Sequence, residues 1–138
     1  MSAQFDHEKL RAYQEALRFV VWVDPFLEAL PAKIAARDQL DRASTSIVLN
    51  LAEGNGKRSR IDRCRYLDIA RGSALECAAC LDVLSAKNLL EAGDVTPGKE
   101  ILLGIVSMIA GLIARFTGEA HEEPAFYGSQ ADGENEND

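Results

Sequence analysis

The chain has few residues of the types on which most enzymes and metal sites depend. Its 138 residues include two histidines, three cysteines and one tryptophan. Neither His7 nor His121 lies three residues after a glutamate, so the Glu-x-x-His motif of di-iron helical bundles is absent. The sequence also has no Ser-His-Asp set, no phosphate-binding glycine loop and no complete zinc motif. It therefore predicts a protein that is not an enzyme and that has no catalytic residue, metal or cofactor.

The sequence also has few cysteines and no long apolar run. Cys64, Cys77 and Cys80 form an odd set within a helical pattern, which is typical of packed thiols in a reducing compartment. The pair Cys77-Ala-Ala-Cys80 has zinc-ligand spacing but no second pair or nearby histidine, so we interpret it as small core residues. No apolar run approaches the roughly 18–20 residues that span a bilayer, and the charged N-terminus lacks a signal-peptide core. We expect a cytoplasmic protein without a membrane partner.

The acidic charge is confined to the C-terminal end. The net charge is −7 at pH 7, yet residues 1–118 contain fifteen acidic and fifteen basic side chains. Residues 119–138 contain seven acidic side chains and no lysine or arginine. We interpret 1–118 as one domain and 119–138 as a largely disordered acidic tail with too few apolar residues to offset ordering entropy. The tail either keeps the protein soluble or mimics nucleic acid at a basic patch.

Apolar periodicity predicts four helices and no strand. The expected ranges are about 6–29, 32–53, 59–90 and 99–117, with a loop over 91–98. A kink or break is expected at Asp24-Pro25, a left-handed cap at Gly54 and an N-cap at Ser59. Helices of this length with short loops favour antiparallel neighbours. The expected fold is therefore an all-α, antiparallel up-down-up-down four-helix bundle.

Each expected helix carries an apolar stripe for the core. The stripe of the first helix should comprise Leu10, Tyr13, Leu17, Val20 and Val21, and that of the second Ala36, Leu40, Ala43, Ile47 and Leu51. The fourth helix is apolar on more than one side, with a seam of Ile101, Ile105, Met108 and Leu112 widened by Leu102, Ile109, Ile113 and Phe116. This excess indicates burial in an oligomer or, alternatively, a generously apolar core helix.

Polar residues recur at helical spacing on the second and third helices. At about 100° per residue, each set falls within one sector of its helix. The two sets are Arg42, Ser46, Asn50 and Glu53 on the second helix, and Arg65, Ser73 and Glu76 on the third. We interpret them as a structural polar network that holds helices or subunits in register. A solvated face, or a ligand or metal site around Glu53 and Glu76, is the alternative.

Basic residues crowd the connection between these two helices. The candidate nucleic-acid-binding residues are Lys57, Arg58, Arg60, Arg63 and Arg71. Asp62 and Asp68 are interspersed, and the pI of about 4.8 is far below that of a typical nucleic-acid-binding domain. One copy would therefore bind nucleic acid weakly, whereas a ring of several copies would gain by multivalency. The alternative is that these cations are only the solvent-exposed start of the third helix and bind no nucleic acid.

Two spaced motifs resemble a known family. The segments LDRASTSIVLNLAEG from Leu40 and RYLDIARGSALE from Arg65 look like those of the four-helix bundle proteins encoded in 23S ribosomal RNA intervening sequences. The family pattern has Arg-Ala before Ser-Ile, then Asn-Ile-Ala-Glu-Gly, then a segment resembling Arg-Phe-Leu-x-Ile-Ala-x-Gly-Ser-x-x-Glu. The matching positions are Arg42, Ala43, Ser46, Ile47, Asn50, Ala52, Glu53, Gly54, Ser59, Arg65, Leu67, Ala70, Gly72, Ser73 and Glu76.

The resemblance implies a single up-down bundle that assembles as a homopentameric ring without established catalysis. It also implies kinship with the accessory protein of diversity-generating retroelements, a basic pentameric barrel that binds nucleic acid and a reverse transcriptase. This chain differs from that relative in its neutral body and acidic tail. The leading hypothesis is an oligomeric scaffold associated with RNA or a ribonucleoprotein. The alternative is a protein-binding scaffold that does not bind nucleic acid.

Overall fold

The computed structural model describes residues 4–121, with side chains to residue 118. A 3-10 turn, Asp6–Lys9, precedes four helices: α1 (Arg11–Ala29), α2 (Ala35–Asn55), α3 (Arg60–Ala86) and α4 (Ala92–His121). No strand occurs within these residues, and the predicted all-helical class with four helices is confirmed. The predicted tail lies outside the described residues apart from its first three, which continue α4.

Each helix packs against two others around a closed cycle. α2 lies between α1 and α3, and α4 lies between α3 and α1; within residues 4–121 the diagonal pairs make no close backbone approach. The most extensive packing joins α2 to α3. The core at the centre takes fully buried side chains from every helix, among them Phe19, Leu40, Ile47, Leu81 and Ile105. Burying each of these contributes roughly 1.5–3 kcal/mol.

The predicted apolar stripe is correct for α2 and wrong for part of α1. All five stripe residues of α2 are buried, but Leu17 and Val21 of α1 are 41% and 72% exposed. The buried residues of α1 are instead Ala12, Ala16, Phe19, Val23 and Leu27. Both sides of α1 are apolar enough to satisfy a helical period, so periodicity does not select between them. Tertiary packing selects the side that carries Phe19, whose side chain is fully buried.

Two predicted helix ends in the second half of the chain are wrong. α3 ends at Ala86 rather than Leu90 because Asn88 adopts a left-handed conformation (φ 61°). The Leu89 amide donates to the Leu84 carbonyl at 2.9 Å and the Asn88 amide to that of Ser85, which makes a Schellman cap. α4 then begins at Ala92, seven residues earlier than predicted, and continues through Pro97.

The two prolines inside helices do not break them. α1 also continues through Pro25, where a kink or break was predicted, to Ala29. Both prolines are exposed, so water can solvate the carbonyl that each leaves without an amide partner. Gly98, which follows Pro97, is buried so closely against the Trp22 ring that a side chain there would overlap it.

The turn between α2 and α3 differs from the prediction at Gly54. No glycine among the described residues has a positive φ, so Gly54 is not a left-handed cap. It is a buried residue of α2, and a Cβ atom added there would lie 2.8 Å from the Cβ of Tyr66 on α3. Glycine is needed because the two helices approach closely. The predicted cap at Ser59 is confirmed, since its hydroxyl accepts from the Asp62 amide at 3.0 Å.

α4 is more exposed than is usual for a helix with so many apolar residues. Contrary to the expectation from the sequence, its stretch Ala92–Gly118 is long and apolar enough to cross a membrane by length and composition alone, and only 22% of the most apolar window is buried. Leu103 projects from the exposed side among small residues such as Ser107 and Ala110. The described part of α4 therefore leaves apolar surface that no other described residue covers.

The cysteines lie where core residues were predicted. Cys77 and Cys80 are buried, Cys64 is half-buried and all three thiols are free. Burial, with Cys80 and Glu76 nearby, raises the pKa of Cys77 to about 12. Burial also raises the pKa of Cys80 and that of Cys64, with smaller contributions from Glu76 and Asp68 respectively. Within residues 4–121 no group of three His, Cys, Asp or Glu side chains could hold a metal ion.

Replacement of Gly54 by alanine should lower the free energy of unfolding by about 1–3 kcal/mol. The new methyl group meets the Tyr66 Cβ atom, which moves only with its backbone, so α2 and α3 must separate. Gly93→Ala is the matched control because nothing lies within 4 Å of its Cβ position. Urea denaturation followed by Trp22 fluorescence measures both variants. Equal stability of the two variants would contradict the close approach.

The thiols should differ in their rate of reaction with Ellman's reagent. At about pH 8, a thiol with a pKa near 12 is ionised at roughly one part in ten thousand, so native Cys77 should react slowly. We expect Cys64, the least buried, to react first and Cys80 to react slowly. Unfolding in urea should make all three equivalent. Rapid labelling of Cys77 in the native protein would refute its placement in the core.

Candidate functional site

The turn between α2 and α3 concentrates positive charge at one end of the molecule. We call Lys57, Arg58, Arg60 and Arg63 the basic hinge. Lys57 lies 3.8 Å from the Glu53 carboxylate and its ammonium lies 5.2 Å from the centroid of the Tyr66 ring. The Nε of Arg63 donates to the Lys57 carbonyl at 2.7 Å. The turn is therefore held by one of its own cations, while Arg58 projects into solvent.

Arg63 also joins the hinge to α4. Its guanidinium lies 5.4 Å from the centroid of the Phe116 ring, a cation–π contact between α3 and the C-terminal part of α4. A mainly apolar cleft lies below this contact, lined by Leu10, Leu51, Gly54, Asn55, Arg63, Leu67, Leu112 and Phe116. The hinge thus lies at the end of the bundle where residues of α2, α3 and α4 meet the segment preceding α1.

Acidic side chains lie near the hinge and reduce its net charge. Arg65 pairs with Asp62 at 3.1 Å in the first turns of α3. On the preceding segment, Asp6 accepts a hydrogen bond from Asn55 at 3.2 Å. These acids, together with Glu53, lower the positive potential that a polyanion would experience. The hinge is a modest cationic site rather than a strongly basic surface.

The fifth candidate residue for nucleic acid lies apart from the others. Arg71 is eight residues beyond Arg63 on α3, about 12 Å along the helix axis. It lies close enough to Asp68 to favour ionisation of that carboxyl, but burial is the larger effect and raises the pKa of Asp68 above its usual range. Arg71 is therefore an outlying cation beside an acid, and not part of the hinge.

Three residues of the predicted polar network come together between α2 and α3. The hydroxyls of Ser46 and Ser73 are 2.8 Å apart, and either atom can donate. The Asn50 Nδ2 donates to the Ser46 hydroxyl at 3.0 Å and to the Ser46 carbonyl at 2.9 Å. Ser73 is only 8% exposed, so this bond satisfies a hydroxyl that has little access to water. It fixes the register of the two helices.

The structure does not bring the other four residues of the network to this bond. Arg42 pairs with Asp38 on its own helix at 3.6 Å, and its side chain is 78% exposed. Glu53 pairs with Lys57, Arg65 with Asp62, and Glu76 lies on the exposed side of α3. Exposed pairs of this kind contribute about 0.2–1 kcal/mol at most. As a contact between subunits, the wider network stays a prediction.

Sequence reasoning missed the two aromatic rings at the hinge. Tyr66 follows Arg63 by three residues, a spacing that places both on one side of a helix and that could have drawn attention to it. Phe116 was predicted only as a core residue of the fourth helix. No local pattern links it to Arg63, which precedes it by more than fifty residues.

One exposed side of α3 carries four large apolar side chains, with the charged Arg65 and Glu76 between them. We call Ile61, Ile69, Leu75 and Val83 the α3 outer face; all four are exposed. Gly72 lies among them, and nothing within 4 Å would meet a Cβ atom there. Unlike Gly54, Gly72 is therefore not approached closely by any other described part of the chain. A glycine on an apolar exposed face is what a helix of another molecule would need to pack closely.

Comparisons with known proteins agree with this architecture. A comparison with curated proteins gave no match. Among solved structures, a protein of unknown function of the S23 ribosomal protein family from Bacteroides thetaiotaomicron aligns with a TM-score of 0.68 at 24% sequence identity. The alignment covers 74% of this chain and 97% of that one, which shows a shared fold. The sequence profile of the 23S rRNA-intervening sequence proteins matches residues 8–111, and this chain therefore belongs to that family.

Proposed function

We propose that this protein is a non-catalytic, homo-oligomeric four-helix bundle that binds structured RNA, alone or within a ribonucleoprotein, through its basic hinge. One observation carries the proposal: four cationic side chains lie together at the α2–α3 turn, beside the end of α4. Cations at that spacing contact successive phosphates, and arginine does so with two parallel hydrogen bonds. Arg71 would add a contact further along α3.

The proposed topology is antiparallel, up-down-up-down. Consecutive helices pack together, and short connections between packed helices favour opposite directions. Two hydrogen bonds, one at each end of the α1–α2 pair, support it. The Arg37 Nε, near the start of α2, donates to the Leu27 carbonyl near the end of α1, while Asn55 at the end of α2 contacts Asp6 before α1.

The proposed assembly is a homopentameric ring in which the α3 outer face contacts a second copy. The uncovered apolar side chains on α3 and the exposed side of α4 support self-association. Contacts between two different faces of identical subunits form a ring when the rotation from one subunit to the next closes, and an open filament when it does not. The resemblance to ring-forming four-helix bundles favours five copies. A ring would bring several basic hinges to one side, which compensates for the low charge of each.

Charge limits the affinity that one hinge can supply. Since residues 1–118 carry equal numbers of acidic and basic side chains, long-range attraction to RNA is weak and binding depends on local contacts. Each phosphate contact makes the affinity fall with salt, and several weak sites on one assembly add their contributions through effective concentration. The proposal places the protein in the cytoplasm, where three free thiols stay reduced.

The second candidate is a scaffold that binds proteins and not nucleic acid. The α3 outer face favours it, because exposed apolar side chains on a helix are a common protein-docking surface. A ligand or metal site around Glu53 and Glu76 has less support. Glu53 already pairs with Lys57, and Glu76 lies on the exposed side of a neighbouring helix.

Replacement of Lys57, Arg58 and Arg60 by serine should weaken binding to a structured RNA hairpin about tenfold or more at about 50 mM salt. The slope of log affinity against log salt should fall by about 2 to 3, since three phosphate contacts are lost. Arg63 is kept because it donates to the hinge backbone. Fluorescence anisotropy across a salt series measures both quantities.

The matched control removes three positive charges elsewhere. The variant with Arg18, Lys33 and Lys87 replaced by serine changes the net charge equally at exposed positions outside the hinge. Its affinity should stay within about twofold of the wild-type value. Equal losses in both triple variants would show that only net charge matters, and no binding of the wild-type protein at low salt would favour the protein scaffold.

The variant Ile69→Lys should dissociate the oligomer. Size-exclusion chromatography with light scattering at micromolar concentration should give a wild-type mass near five times 15.1 kDa. Lysine at this exposed position can keep its charge in water in the monomer but not in a packed interface. Gln39→Lys, at an exposed polar position of α2, should leave the mass unchanged. A monomeric wild-type protein would contradict the ring.

A further inference from the structure

α4 ends near the basic hinge. Phe116 lies beneath the Arg63 guanidinium, and α4 ends at His121, five residues later. Five residues of helix advance about 7 Å, so the chain leaves α4 close to the hinge cations. The segment that begins there is 122–138. Seventeen residues reach at most roughly 60 Å, and every cation of the hinge is within that distance.

The segment and the hinge have complementary charges. Residues 122–138 carry six acidic side chains and no lysine or arginine: Glu122, Glu123, Asp132, Glu134, Glu136 and Asp138. The hinge carries four cations within seven residues. No other stretch of the chain concentrates acidic charge without compensating bases. The most acidic segment of the chain thus follows directly on a helix that contacts the basic hinge, although the hinge and the segment are far apart in sequence.

We infer that the acidic segment 122–138 docks on the basic hinge of its own chain and competes there with RNA. The competition rests on the function proposed above, whereas the docking does not. Tethering through α4 gives the segment an effective concentration of millimolar order. A dissociation constant of the segment from the hinge in the millimolar range is therefore enough for the segment to be docked in half of the molecules. Such weak binding is expected of a hinge whose positive charge is partly compensated by Glu53, Asp62 and Asp6. RNA must displace the segment to bind.

Zero-length carbodiimide cross-linking tests the docking without RNA. The reagent joins an ammonium to a carboxylate only where the two are in contact. Lys57 in the full-length wild-type protein should form amide links to acidic residues of 122–138, as identified by mass spectrometry. Lys33 and Lys87, which are exposed and outside the hinge, are internal controls and should form none. Mixing isotopically heavy and light protein distinguishes links within one chain from links between chains.

A charge-matched pair of variants tests the competition. The tail variant replaces Asp132, Glu134, Glu136 and Asp138 by the corresponding amides. The body variant replaces four exposed carboxylates outside the hinge, Asp24, Glu28, Glu91 and Glu100, by the corresponding amides. Both lose four negative charges, so both repel RNA less by the same general effect. Because a segment that occupies half of the hinges lowers the apparent RNA affinity about twofold, the hairpin should bind the tail variant about twofold more tightly than the body variant at about 50 mM salt. High salt should remove this difference.

The outcomes separate the two proposals. Absence of Lys57 links within the chain, or links only between chains, would overturn the docking. Equal affinities of the tail and body variants would overturn the competition while leaving RNA binding intact. If no variant binds the hairpin at low salt, the proposed RNA function fails, and the cross-links alone still decide whether the segment docks.

Discussion

The close approach of α2 and α3 is the constraint on which the rest of this structure depends. Gly54 permits it at the end of the pair near the turn, and the Ser46–Ser73 hydrogen bond fixes the register two turns away. Helices in contact at their connected ends need only a short turn. The cations at that turn are therefore crowded together, and Arg63 can reach back to the Lys57 carbonyl. The same approach buries one side of both helices and leaves the opposite side of α3 uncovered.

Charge is separated along this chain rather than spread over it. The described body is nearly neutral, the hinge is locally cationic, and the strongest acidic segment follows the helix that ends beside the hinge. Net charge and pI therefore say little about partners. An acidic protein of this arrangement can present a cationic site, and its own acidic segment is the polyanion at highest local concentration. Affinity for an external polyanion would then depend on salt in two ways, through phosphate contacts and through displacement of the segment.

α3 and α4 both expose apolar surface on which another subunit could pack. Ile69 and its neighbours on the α3 outer face lie around Gly72, and α4 presents Leu103 among small residues. Large side chains on one face and small ones on another are suited to packing between different faces of identical subunits. This would also explain why α4 is apolar on more than one side, since one side faces the core of its own chain and another would face a neighbour. Family membership and the shared fold are established; the assembly is proposed.

The sequence by itself determined the four helices, the buried stripe of α2, the cap at Ser59 and the family, because periods, caps and motifs are local properties of a chain. It also identified the hinge cations and the residues Ser46, Asn50 and Ser73. Only the tertiary structure decided which apolar side of α1 is buried, since both sides satisfy the helical period. It also decided that α4 begins before Pro97, since the proline is exposed and the helix continues through it to Gly98, which is buried against Trp22. The contact of Arg63 with Phe116 likewise joins residues that no local pattern connects, because only packing sets their distance.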